Sequence, residues 1–170
     1  MSTQDAMSHM AAGAAAGLAA TVPMTAAMKL AQRALPRHER HPLPPRRITL
    51  RALRKAGLRP HVHLDESQRR GLTLAAHYGY GTAAGAAFGL LAPRNNCEAI
   101  PAGVGYGLLV WAASYLGLMP ALDLHPPATR ESLGRNAMMI AAHVVWGAAL
   151  GAAAAALRRR IGRRVSTGAG

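Results

Sequence analysis

NAMMIAAHVVWGAALGAAAAAL, residues 136–157, runs for 22 residues without an Asp, Glu, Lys or Arg. A soluble amphipathic helix carries a polar side chain every third or fourth position, and this stretch has no such stripe. About 20 apolar residues are enough to take a helix across ~30 Å of hydrocarbon. Residues 6–28, 71–93 and 99–122 repeat the pattern, with uncharged runs of 23, 23 and 24 residues. Four gaps of one matching length are the measure of a bilayer.

The whole chain agrees with that reading. Hydrophobic residues make up 51%, but aromatics only 4%, so the large side chains that fill a soluble core are scarce. An alanine-rich soluble bundle would still need charge on the solvent face of each helix. A cleaved signal peptide is not expected, because only Asp5 is charged ahead of the first run and a cationic leader start is missing. The single cysteine, Cys97, excludes an internal disulfide framework. The expected fold is all-α: one polytopic membrane domain over 1–170, with four transmembrane helices at about 6–28, 71–93, 99–122 and 136–157.

Charge is confined to the connections. Arg33 to Arg70 holds eleven Lys/Arg against three acids, so 29–70 reads as a basic cytoplasmic loop. Within it, 46–59 suits a short helix with Ile48, Ala52, Leu53 and Ala56 on one face and Arg47, Arg51, Arg54 and Lys55 on the other. That pattern fits a helix lying on a membrane surface, with anionic lipid headgroups as partners. A solvated basic loop is the plainer alternative. No aromatics interleave with the basic residues, so nucleic acid is not an expected partner. Residues 158–170 form a basic tail. Lys/Arg bias puts 14 residues on the side of the long loop and 6 on the other, which favours a cytoplasmic loop and external termini. The five tail arginines pull against that orientation.

Two segments resemble each other. Ala75-Ala76-His77 and Ala141-Ala142-His143 are each followed three residues after the histidine by an aromatic, Tyr80 or Trp146. Glycines then stand at the same offsets, Gly81 and Gly85 in one case, Gly147 and Gly151 in the other. Gly13/Gly17 and Gly103/Gly107 extend the correspondence to the first and third runs. The expectation is two helical hairpins related as a parallel repeat. Membrane helices gain little by exchanging lipid for leucine, so they associate where small residues let backbones approach. Gly13, Gly17, Gly81, Gly85, Gly89, Gly103, Gly107, Gly147 and Gly151 are therefore the expected packing positions, within the bundle or between copies in a homo-oligomer.

Chemistry is sparse. His77 and His143 are ionisable residues set well inside their runs, and polar groups at such depth are functional candidates. A neutral imidazole can tie helices together, exchange a proton near neutral pH or bind a metal. With Tyr80 and Trp146 they form the candidate functional set. Trp111, Tyr115, Tyr106 and Trp146 read as interfacial or packing aromatics, and Arg130 with Glu131 as a local surface pair. No nucleophile elbow, zinc spacing or phosphate loop occurs, so no enzyme activity, cofactor or metal is expected.

Several words of the chain resemble the YagU-like family of small bacterial inner-membrane proteins of unknown function. They are Pro44-Pro45-Arg46-Arg47-Ile48-Thr49, His77-Tyr78-Gly79-Tyr80-Gly81, Leu118-Met119-Pro120-Ala121-Leu122, Arg135-Asn136, and the group His143, Trp146 and Gly147. The resemblance implies a multi-pass protein of the bacterial inner membrane with a loose association with acid tolerance, and carries over no catalytic residue. The leading expectation is a structural or envelope-stress protein that self-associates. A proton-linked carrier or channel using His77 and His143 is the alternative, and membrane haem or metal binding a further one. All three require lipid around the uncharged helices. The expressed protein should sediment with membranes at high speed and enter solution only with detergent; recovery in a detergent-free supernatant would remove the basis for every one of them.

Overall fold

The computed structural model describes residues 2–59, 63–93 and 95–167, and no strand occurs among them. Helix α1 (Thr3–Ala34) begins with a reciprocal capping box between Ser2 and Asp5 and continues through Pro23. It stops at Leu35, where Pro36 disfavours further helical backbone. Helix α2 (Pro44–Lys55) lies in the long connection. Helix α3 (Glu66–Leu91) starts on a second capping box, Asp65 with Gln68. Helix α4 covers Ala99–Ala121, with a π-helical stretch over Ala113–Leu118. Helix α5 (Leu133–Thr167) runs on through the first residues of the expected tail. Residues 60–62, Arg94, the tail end 168–170 and the tail side chains of Arg160, Arg163 and Arg164 lie outside the described residues.

Two boundaries depart from expectation, each for a local reason. The loop helix was expected over 46–59, but α2 starts at Pro44, whose fixed φ and missing N–H suit a first helical turn. It ends two residues before Gly57, which takes a left-handed φ of 84°. There Leu58 N–H donates to the Leu53 carbonyl and Gly57 N–H to the Arg54 carbonyl, a Schellman ending that favours glycine.

The second departure concerns the span count. Among the described residues three helices are long and apolar enough to cross a membrane: α1, α4, and α5 over Leu133–Arg159. The expected fourth run does form a helix, α3, but its composition is diluted. Residues 71–93 include five glycines, Thr73, Thr82, Tyr78, Tyr80 and His77, which add length without much hydrophobicity.

The long helices pack as a row, α3 against α1, α1 against α5, and α5 against α4, while α3 and α4 scarcely touch. Two seams bring backbones together. A Cβ on Gly85 would collide with the carbonyl of Gly13 and the Cα of Gly17, and a Cβ on Gly147 with the Gly103 backbone. The α1–α3 seam thus uses Gly13, Gly17, Gly81, Gly85 and Gly89, and the α4–α5 seam Gly103, Gly107, Gly147 and Gly151. Gly13 faces Gly85 and Gly89 much as Gly103 faces Gly147 and Gly151. That correspondence is shifted by one helical turn from the sequence motif, which pairs Gly81 with Gly147. A repeat would also give α3–α4 a contact as extensive as α1–α5, and only side chains bridge that edge.

Many large apolar side chains point outward, although Phe88, Met28, Trp146 and Leu150 are buried. Leu30, Leu91 and Leu109 are 63%, 71% and 61% exposed, whereas Ala16, Ala20 and Ala142 are nearly inaccessible. This gives α1, α3 and α4 exposed apolar surface suited to lipid. Replacing Gly85 or Gly147 with Val should destabilise the bundle by about 3 kcal/mol or more, since backbone cannot yield as a side chain does. Gly79→Ala and Gly105→Ala meet open space and should leave the Tm in detergent unchanged or slightly raised. Equal Tm losses for all four variants would contradict the seams.

Candidate functional site

His77 and Tyr80 lie one turn apart on α3, and His143 and Trp146 one turn apart on α5. These four residues, from helices that share no seam, line a single cavity of about 230 Å³. It occupies the half of the bundle nearest α2. Thr21, Met24 and Met28 of α1 supply one wall, and Ile48 and Thr49 of α2 close the end. No Asp, Glu, Lys or Arg lines it.

The wall on α4 depends on the π-helical stretch. Pro120 has no N–H for the Leu116 carbonyl, and Met119 N–H reaches back five residues to the Ser114 carbonyl. The wider turn leaves consecutive residues Ser114 and Tyr115 both buried. The hydroxyls of Ser114 and Tyr80 are hydrogen-bonded at 2.7 Å, bridging the α3–α4 edge on the cavity side. Further along that edge the Tyr106 hydroxyl donates to the Ala84 carbonyl at 2.8 Å. In the sequence Ser114 is the only span serine outside the first run, without a neighbouring base, and Tyr115 reads as an interfacial or packing aromatic. The only signal available for either was Pro120.

His143 is oriented by its own helix. Its Nδ1 lies 2.7 Å from the Met139 carbonyl. A carbonyl can only accept, so in the neutral ring the proton is on Nδ1 and Nε2 is an acceptor. The Tyr115 ring stands edge-on between two imidazoles, with centroids 6.0 Å from His143 and 5.5 Å from His125. His77 Nε2 and Trp146 Nε1 are buried without a hydrogen-bond partner. Trp146 is a core residue at 2% exposure, and Tyr115 is also buried, so neither is interfacial. Among the described residues no three His, Cys, Asp or Glu side chains gather as a metal site.

Outside the cavity, α2 is fastened by its charges. Arg46 makes a two-pronged pair with Glu66 at 2.6 and 2.8 Å. Arg51 and Lys55 pair with Asp123 at 2.6 and 3.4 Å. Asp123 has a left-handed φ of 48°, tolerable for aspartate, at the point where α4 ends. Glu131 takes Arg135 at 2.7 Å and Arg47 at 3.3 Å, so its expected pairing with Arg130 gives way to partners from α2 and α5. Arg135 also donates to the Glu39 carbonyl at 3.0 Å, tying α5 to the first connection. The cationic face expected to meet lipid headgroups is therefore partly neutralised within the chain.

These contacts shift ionisation. Hydrogen bonds from Arg51 and Lys55 hold the Asp123 carboxyl below its ordinary range. Glu66 is also held below its ordinary range, chiefly by Arg46 and then Arg70. His125 is pushed below 6.5, first by burial and then by Arg47 and Arg135, against the opposing pull of the Pro126 carbonyl and Glu131.

The family model described as "Protein of unknown function (DUF1440)" matches residues 25–152, which takes in α2, α3, α4 and the cavity-lining part of α5. No curated protein and no solved structure matches the chain.

Two outcomes follow for the charged layer. Glu131→Gln leaves Arg135, whose side chain is 4% exposed, without its counter-charge and should cost about 3–5 kcal/mol. Asp123→Asn, at an exposed pair, should cost far less. Because the folded pKa of His125 is depressed, its neutral form stabilises the fold above pH 6.5, and that contribution is lost as pH falls from there. Hydrogen exchange in α2 and residues 122–132, corrected for intrinsic rates, should accelerate between pH 7 and 5, roughly the window of an ordinary histidine. His125→Asn should flatten that profile.

Proposed function

The chain belongs to the DUF1440 family of proteins of unknown function, and from that premise we propose that it is a non-catalytic membrane protein that moves protons or a small proton-linked solute through the cavity between its helices. One observation carries this reading. His77 and His143, far apart in sequence and on helices without a common seam, line the same uncharged cavity. A histidine used only to staple neighbouring helices has no need of such a space.

The finer points belong to the same proposal. We take α3 as a fourth span, because it lies along α1 and turns Leu72, Leu74, Leu90 and Leu91 outward. The location is the bacterial inner membrane, as in the YagU-like proteins, with the long connection on the cytoplasmic side. The parallel repeat is kept as part of the proposal, and two similar glycine seams support it. Both seams are occupied within one chain, so self-association through those glycines would compete with the bundle itself. Arg54, the α2 cation without an acidic partner among the described residues, remains available to anionic headgroups.

The experiment is proton flux into proteoliposomes loaded with a pH-sensitive dye. His77→Ala and His143→Ala should each cut the flux, and the double variant should bring it to the level of protein-free vesicles. Wild-type flux from a correctly folded double variant would return the protein to a structural role.

A further inference from the structure

The lining of the cavity constrains what can occupy it. With no ionised side chain around it, a charged ligand would be desolvated without a counter-ion, at heavy cost. The volume of about 230 Å³ exceeds the roughly 150 Å³ of a cavity known to take benzene. By proportion it holds one aromatic ring with a few substituents, on the order of ten non-hydrogen atoms. Met24, Met28, Met119 and Met139 are among the lining side chains. Thioethers are polarisable, adapt their shape and make favourable contacts with aromatic rings.

One polar atom has a defined direction of hydrogen bonding. His143 Nδ1 is committed to the Met139 carbonyl, so Nε2 of the neutral ring accepts and is complemented by a donor. Access has a marker too: Ala76 and Tyr80 line the cavity while lying on the exposed side of α3.

We propose that the cavity binds a neutral, hydroxyl-bearing aromatic molecule of the phenol or quinol class. Its O–H donates to His143 Nε2, its ring lies among the methionines, and it enters from the bilayer past Ala76 and Tyr80. This rests on the cavity being the functional site, and adds the chemical class of its occupant.

Thymol and p-cymene share one carbon skeleton and differ by a hydroxyl, which isolates the hydrogen bond. Binding is followed by intrinsic tryptophan fluorescence of the full chain in lipid nanodiscs. Comparison between variants cancels partition of the probes into lipid. Wild type should respond saturably to thymol, and to p-cymene only at about tenfold or higher concentration. In His143→Leu the two probes should converge on the weaker value. Ala76→Phe, which narrows the mouth without touching the histidine, should weaken both. Equal response of wild type to the two probes, or discrimination that persists in a folded His143→Leu, overturns the proposal. Dye-reported proton flux without thymol discrimination removes this ligand class and leaves the proposed function standing; discrimination without flux does the reverse.

Discussion

Close approach of peptide backbone along two glycine seams sets the geometry from which the other features follow. Where Gly13 and Gly17 meet Gly85 and Gly89, no side chain intervenes, and α1 and α3 are held at the distance of their main chains. The same holds for α4 and α5 around Gly103 and Gly147. Helices locked this closely gain dispersion contact over their whole length, which is the form of attraction left when the surroundings are as apolar as the side chains.

The seams also explain where space remains. A row of α3, α1, α5 and α4 must close on itself between α3 and α4, and that edge has no glycine seam. Hydroxyl bridges such as Tyr80 to Ser114 and Tyr106 to Ala84 hold it instead. Side-chain bridges keep two helices further apart than backbone contact does, so a cavity is the geometric remainder. His77 and His143 both face that remainder. The π-helical stretch of α4 adds to it by turning Ser114 and Tyr115 inward together.

At the same end of the bundle, α2 links the cavity to the charged layer. Ile48 and Thr49 complete the apolar wall, while Arg46, Arg47, Arg51 and Lys55 engage acids from α3 and from the connection between α4 and α5. Exposed pairs of this kind are individually weak. Glu131 differs because Arg135 and His125 beside it are buried, and removing one partner leaves charge without solvent. The layer therefore combines firm anchorage at Glu131 with looser fastening at Asp123, an arrangement that ties the end wall of the cavity to the connections around it.

The uncharged runs at 6–28, 99–122 and 136–157 by themselves determined three long apolar helices, because hydrophobic length is a one-dimensional property. Glycine spacing and the histidine positions were also written there, as periodicities along a single helix. Which seams formed was not, since glycines at every fourth position fit many partners equally well in one dimension. Nor could local pattern supply the splayed α3–α4 edge, the π-helical turn ahead of Pro120, or the meeting of Glu131 with Arg47 across 84 residues. Those depend on how four helices and their connections share three-dimensional space. Only there did His77 and His143 come to line one cavity.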